Sequence, residues 1–433
     1  MKRMVWMWVL AVLMVVAVPV AWSQEEKTAK DKGQEPAQAE KKEEPAKKPK
    51  RKESKIAGTP YIYSGPDTGA GFGGAIIYRD LGNKIGRDTN VSADYTSLGQ
   101  NSFSMDWTEP DFIRKGPQLS LHLSYDNKPS RRFYGIGNDA DKNDICNFGW
   151  TEYRFRARVT LPQGNAKWRA RIQYEYQLSL PKDGSLNDPG DWRYSRPISQ
   201  EFPALYNSNQ FNGGATAGPG LYLIHDTVKD KFPMEGDRSE RIYPISGGYQ
   251  QLYLNYNGPA FGSRFEYERI EADVRQYFGF FKDNTVVMLR SKGIFSQGDV
   301  PFWNMPAFGS GNNLRGFYDG RFRDLDSLQY NIELRQGIAP NFKWPLFGGV
   351  FNLTYPFVFL FFEEGRVFDS YTQLGAEWNQ DYHPSYGAGF RFVISPSVVV
   401  RFEWAYSPEF PITFGSLYGS LIVNTSEPEY GDL

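Results

Sequence analysis

Alternation with period two limits this chain more than any other feature. It runs over stretches too long for an ordinary soluble sheet, and its polar side carries arginines. Within 151–162, Tyr153, Phe155, Ala157, Val159 and Leu161 fall on one face, while Arg154, Arg156 and Arg158 fall on the other. Residues 167–181 repeat the pattern: Trp168, Ala170, Ile172, Tyr174, Tyr176, Leu178 and Leu180 oppose Arg169, Arg171, Gln173, Glu175, Gln177 and Ser179. Near the end, Val398, Val400, Phe402, Trp404 and Tyr406 oppose Arg401 and Glu403. Side chains alternate across a strand, so each stretch has one apolar and one polar face. Soluble strands average about 5–6 residues, whereas crossing a bilayer at a tilt takes about 9–11. A soluble sandwich turns its apolar face inward. A polar face laddered with arginine reads instead as the wall of a wet lumen, and a closed barrel is the only sheet that satisfies every backbone polar group in lipid. The expected fold is all-β, a transmembrane antiparallel β-barrel.

Composition agrees. Aromatic residues make up 16% of the 433, yet mean hydropathy is low, as expected where lipid face and girdles are apolar and lumen and loops are polar. A net charge of -1 gives no case for nucleic-acid binding. The one cysteine, Cys146, cannot form an internal disulfide and has no second thiol for a metal or redox site; an inert loop residue is expected. Residues 1–23 have a basic start, an apolar middle and a small-residue end, the pattern of a secretory signal peptide, with a retained anchor helix as the competing reading. Residues 24–55 are lysine, glutamate, proline and alanine; 19 of the 32 are charged, so this segment is expected to be a disordered periplasmic linker, a tether or a docking tail. The barrel is expected over 56–433.

Periodicity places eleven strands at 69–80, 88–98, 101–109, 117–126, 150–161, 167–180, 190–206, 217–226, 247–257, 264–280 and 285–297. Five more follow at 326–337, 349–363, 384–395, 397–406 and 412–423, giving sixteen, the even number single-chain bacterial barrels use. Between the two sets lies Gly309-Ser310-Gly311-Asn312-Asn313-Leu314-Arg315-Gly316-Phe317, running on to Asp324. A connection that long, rich in glycine, aromatics and arginine, is no ordinary hairpin.

These residues resemble the bacterial surface antigen and outer-membrane assembly-factor barrel superfamily (BamA- and TamA-like). The resemblance rests on Leu314-Arg315-Gly316-Phe317, on Asn331-Ile332-Glu333-Leu334 and on Phe361-Phe362-Glu363-Glu364-Gly365-Arg366-Val367, in that order and spacing, and covers about 56–423. It implies sixteen strands with an extracellular loop 6, between strands eleven and twelve, folded back into the lumen with Leu314, Arg315, Gly316 and Phe317 at its tip. It puts Glu363 where the family has an aspartate facing that loop, and Glu333 at an inward position of strand twelve. It also implies a member without periplasmic polypeptide-transport domains, since only the charged linker precedes the barrel. An arginine inside a barrel needs anions, and its fork favours bidentate carboxylates; Arg315 is therefore expected to bond to Glu363 or Glu333. Phe359 and Phe361 share a face with Glu363 and are expected to bracket the loop's Phe317 and Tyr318.

Other signals carry less. Gly69-Ala70-Gly71-Phe72-Gly73-Gly74 matches the dinucleotide fingerprint formally, but it lies within a strand with no helix to hold a phosphate, so no nucleotide is expected. As the first barrel strand, its glycines would weaken pairing with the last. His122, His225 and His383 lack metal-ligand spacing, no serine-elbow motif occurs, and no cofactor or enzymatic activity is expected. Phe133-Tyr134-Gly135-Ile136-Gly137-Asn138-Asp139 reads as a compact turn at a barrel rim. The resemblance implies insertion or translocation of polypeptides or lipids at the outer membrane of a Gram-negative cell. Partners would be outer-membrane lipids, with a periplasmic delivery partner or a client polypeptide. A solute pore plugged by loop 6 and a structural surface antigen are the alternatives.

Overall fold

Pairing between neighbouring strands converts the alternation into a wall. The computed structural model describes residues 55–423 apart from 66–68, 85, 114–115, 163–165, 186–195, 232–242, 310–312, 340–341, 347–350, 371–379, 396–397 and 410–419. The signal peptide expected over 1–23 and the linker expected over 24–55, save Lys55, lie outside the described residues. Sixteen strands pair antiparallel in chain order: β1 Lys55–Gly65, β2 Gly69–Arg79, β3 Asp88–Thr96, β4 Asn101–Glu109, β5 Gln118–Phe133, β6 Cys146–Leu161, β7 Trp168–Asp183 and β8 Gly214–Asp226, then β9 Pro244–Asn257, β10 Tyr267–Phe280, β11 Thr285–Gly298, β12 Asp326–Gly337, β13 Phe351–Phe368, β14 His383–Ser395, β15 Val398–Tyr406 and β16 Ser420–Val423. Two short segments, Lys229–Asp230 beside β9 and Lys343–Leu346 beside β13, continue the lanes of β8 and β12. β1 and β16 approach within 8 Å of each other, which brings the sheet round on itself.

Register explains the arginine ladder. β6 and β7 pair from Phe148↔Asp183 to Leu161↔Ala170, which sets Arg156 opposite Glu175 and Arg158 opposite Gln173. Arg156 Nε donates to Glu175 at 2.7 Å, and Arg158 Nε to Gln173 at 2.9 Å. The other parity faces outward: Tyr153, Phe155, Ile172, Tyr176 and Leu180 are exposed, as are Phe72, Ile76, Ile332, Leu360 and Phe362 elsewhere in the wall. An exposed apolar belt of this extent is a liability in water and a requirement in lipid.

The described residues hold the expected total of sixteen, but one expected member is replaced. Of the strand expected over 190–206, the described part, 196–206, holds no barrel strand and forms two one-turn helices, α1 Ile198–Glu201 and α2 Pro203–Tyr206, each entered at a proline. Proline lacks a ladder donor and suits a first helical turn. In its place β1 precedes all the strands expected from periodicity. The glycine-rich strand is therefore β2, hydrogen-bonded between β1 and β3 rather than at the end of the sheet. At least one of its glycines makes room: a Cβ on Gly73 would sit 2.7 Å from the Tyr61 ring.

The two longest connections, 184–213 and 299–325, leave odd-numbered strands, as does 134–145, and so gather at one end, while 227–243, 281–284 and 338–350 lie at the other. Short periplasmic turns and longer extracellular loops are the rule in such barrels, which makes the long-loop end extracellular. Aromatic side chains fill the lumen from both ends. Toward the periplasm, Tyr243, Tyr249, Tyr277, Tyr355 and Phe357 form one cluster. At the extracellular end, Phe302 and Trp303 of loop 6 pack with Phe133, Phe148, Phe211 and Phe265. Cys146 belongs to this second cluster; it opens β6, fully buried, rather than sitting in a loop.

Candidate functional site

Loop 6, residues 299–325, turns back from the end of β11 and brings Arg315 onto the inner wall. Leu314 and Gly316 flank it with positive φ of 48° and 92°. A Cβ on Gly316 would meet the carbonyl carbon and oxygen of Tyr406 at 3.1 and 3.2 Å, so this close approach to the end of β15 favours glycine twice over. Ser407 Oγ donates to the Gly316 carbonyl at 2.8 Å. Leu314 and Phe317 are buried with Phe308, Phe322 and Val367.

Arg315 is 4% exposed. Its backbone N–H donates to Glu363 Oε2 at 2.7 Å, and its Nε and Nη2 donate to Glu363 Oε1 at 3.0 and 2.7 Å. Nη1 donates to Glu403 Oε2 at 3.0 Å, and Nη2 lies 3.5 Å from Glu333 Oε2. Asn331 also donates to Glu363. The group does not end there. Arg335 donates to Glu333 at 2.6 Å, while Arg391 donates to Glu403 at 2.7 Å and to Glu333 at 3.3 Å. Three guanidiniums thus meet three carboxylates in a buried network with no net charge. Burial alone would lower the Arg315 pKa, but Glu363, Glu403 and Glu333 raise it above the ordinary arginine value. Such a network holds firmly only while every member is present, because one orphaned buried charge costs several kcal/mol, about 3–5.

Both expected carboxylates, Glu363 and Glu333, lie at Arg315, and Glu363 takes most of its donors. Glu403 is the partner that sequence reasoning missed. Its polar parity on β15 was visible, but nothing local said that β15 would face loop 6. Phe359 and Phe361 differ from expectation. They lie under guanidiniums, Phe361 at 3.5 Å from Arg315 and Phe359 at 4.0 Å from Arg391, and not against Phe317 and Tyr318. Phe317 instead packs edge-on to Phe322, and Tyr318 lies under Arg132. Two glycines of β14 let the rings lie flat: a Cβ on Gly387 would come within 2.6 Å of Phe361, and one on Gly389 within 2.1 Å of Phe359. A cation over a desolvated ring adds about 2 kcal/mol to the hold.

The three histidines have partners elsewhere. His122 pairs with Asp106, His225 with Gln250, and His383 stacks on Phe322 at 3.6 Å. The arrangement at Arg315 binds a loop.

The family profile described as the Omp85 superfamily domain matches residues 82–412. Among solved structures, BamA from Haemophilus ducreyi lacking POTRA domains 1–3 shares the fold at a TM-score of 0.54, with 12% identity over 85% of this chain and 69% of that one. CdiB from Escherichia coli matches at 0.50, with 11% identity over 85% of this chain and 61% of that one. No curated protein matches the sequence.

Proposed function

This chain belongs to the Omp85 superfamily, the outer-membrane β-barrels of Gram-negative bacteria that serve assembly and translocation, and from that premise we propose that it assists insertion or translocation of polypeptides at the outer membrane. The observation that carries this reading is loop 6, folded into the lumen and tied by Arg315 to three strands. A barrel whose only task was free passage of solutes would gain nothing from a buried ionic tie across its own bore. A barrel that handles a polypeptide or lipid client needs a defined resting closure and a rigid wall beside the lipid. The client would arrive from a periplasmic delivery partner, with the charged segment 24–55 as the contact. The reading is non-enzymatic. The role of loop 6 is to set the lumen's resting state, with Glu363, Glu403 and Glu333 as its wall partners.

Depletion of the protein in its native cell, followed by a quantitative comparison of the outer-membrane proteome and lipids, tests this. Loss of a defined set of outer-membrane or surface polypeptides is the expected result. An unchanged proteome together with solute uptake by reconstituted liposomes would replace this reading with a plugged solute pore.

A further inference from the structure

We propose that the connection between β5 and β6, residues 134–145, is a strap that spans the extracellular mouth and holds loop 6 from above, with Asn138 as its positioning residue. β6 and β14 lie eight lanes apart in a sixteen-lane wall, on opposite sides of the barrel. Asn138 nevertheless reaches the far side. Its Nδ2 donates to the Asp381 carbonyl at 2.9 Å, its Oδ1 accepts from the Val367 N–H at 3.1 Å, and its backbone carbonyl lies 3.1 Å from His383 Nε2. On the way, the strap rests on loop 6. Gly137 N–H donates to the Arg323 carbonyl at 2.8 Å, forming an isolated antiparallel bridge. Just before the strap, at the end of β5, Arg131 donates to Asp319 at 3.0 Å, and within the strap the Tyr134 ring lies under Arg321. Gly135 and Gly137 hold φ of 101° and 120°, which lets the chain cross without turning back.

Beneath loop 6 the hold is ionic and centred on Arg315; above it the strap meets the loop through the Gly137–Arg323 backbone bond, beside the Arg131–Asp319 ion pair, while Asn138 anchors the strap to the far wall. Either hold slows release of loop 6 on its own, and full release requires both to open. The strap therefore makes the closure a two-part device in which the extracellular part is reachable from outside the cell.

The experiment uses the full chain folded in detergent and in planar bilayers, with Asn138→Ala, Arg315→Ala and the double variant. Readouts are protease cleavage within loop 6, single-channel conductance, and the heat-modifiable gel mobility that reports an intact barrel. Asn138→Ala is expected to speed loop-6 cleavage by about tenfold, the scale of one or two neutral hydrogen bonds lost, at unchanged mobility. The double variant is expected to conduct more than the two single effects combined. Asn138→Asp keeps the acceptor for Val367 but sets a carboxylate oxygen against the Asp381 carbonyl, and should cleave at least as fast as alanine. The proposal is overturned if Asn138→Ala cleaves as wild type and the double variant behaves as Arg315→Ala alone. Should Asn138→Ala fail to fold, wild-type cleavage in Asn138→Asp overturns it by itself. No client is needed in these assays, so the strap stands or falls independently of the function proposed above.

Discussion

The β6–β7 wall and the Arg315 site use the same chemistry to different ends. On the wall, Arg156 and Arg158 bond straight across one ladder to Glu175 and Gln173, partners 19 and 15 residues away in sequence. At the site, Arg315 bonds to Glu363 and Glu403, 48 and 88 residues away, on strands β13 and β15. The wall pairs solvate a polar lumen and are partly redundant, since Arg154 also approaches Glu175 at 3.7 Å. The site pairs connect a loop to three strands at once, and losing the arginine leaves three carboxylates facing two guanidiniums. An arginine on a strand can be one of several.

Substitutions separate the two cases, and the largest effect is expected at the loop. Arg315→Ala should remove about 3–5 kcal/mol of local hold, seen as faster proteolysis within loop 6 and larger single-channel conductance in a barrel that still shows folded mobility. Unchanged conductance and cleavage would mean that the ionic hold is not what retains the loop. Glu363→Gln should cost less, about 2–3 kcal/mol for weakened charge-assisted bonds, and more than Glu403→Gln, because Glu363 accepts from the backbone N–H as well as the guanidinium. Equal effects of the two would show that Arg315 pivots freely between them. Gly389→Ala should cost about 1–3 kcal/mol by overpacking, since its Cβ would displace the Phe359 ring that supports Arg391; loop-6 cleavage in this variant tests whether the rings contribute to the hold. Arg156→Ala is expected to have the smallest effect on loop 6, costing about 1.5 kcal/mol of stability by chemical denaturation, the low end for a charge-assisted bond because Arg154 also approaches Glu175, with loop 6 as protected as in wild type. Released loop 6 in that variant would erase the distinction between wall and site.

Much of the wall was legible in sequence because a strand announces its two faces locally. The polar parity of Glu333, Glu363 and Glu403 and the apolar parity of Leu360 and Phe362 follow from alternation alone, and the resemblance directed attention to Arg315. The places where the reading slipped share a cause. β1 has glycine and proline among its apolar residues, so its alternation is faint, and only pairing with β2 over eleven residues reveals it. Residues 190–206 have enough apolar side chains to mimic a strand, while Pro197 and Pro203 set up helical turns instead. Phe359 and Phe361 were placed on the correct face with the wrong neighbours, because which group lies over a ring depends on where the loop lands.

The sequence by itself determined the architecture: long alternating strands, polar inward and apolar outward, with a glycine-rich loop late in the chain, whereas the count of eleven strands before that loop was matched only because the unread β1 offset the strand expected over 190–206. Period two is a property of consecutive residues, and lipid leaves a barrel as the only way to satisfy the backbone. The tertiary structure alone decided that Glu403 joins Glu363 and Glu333 at Arg315, that Gly387 and Gly389 clear space for two rings, and that Asn138 reaches across the mouth to Val367 and Asp381. Those contacts join residues 88 positions apart at Arg315 and 229 or more at Asn138. They exist because closing the sheet brings distant strands round to face one another across the lumen, a distance that no local pattern encodes.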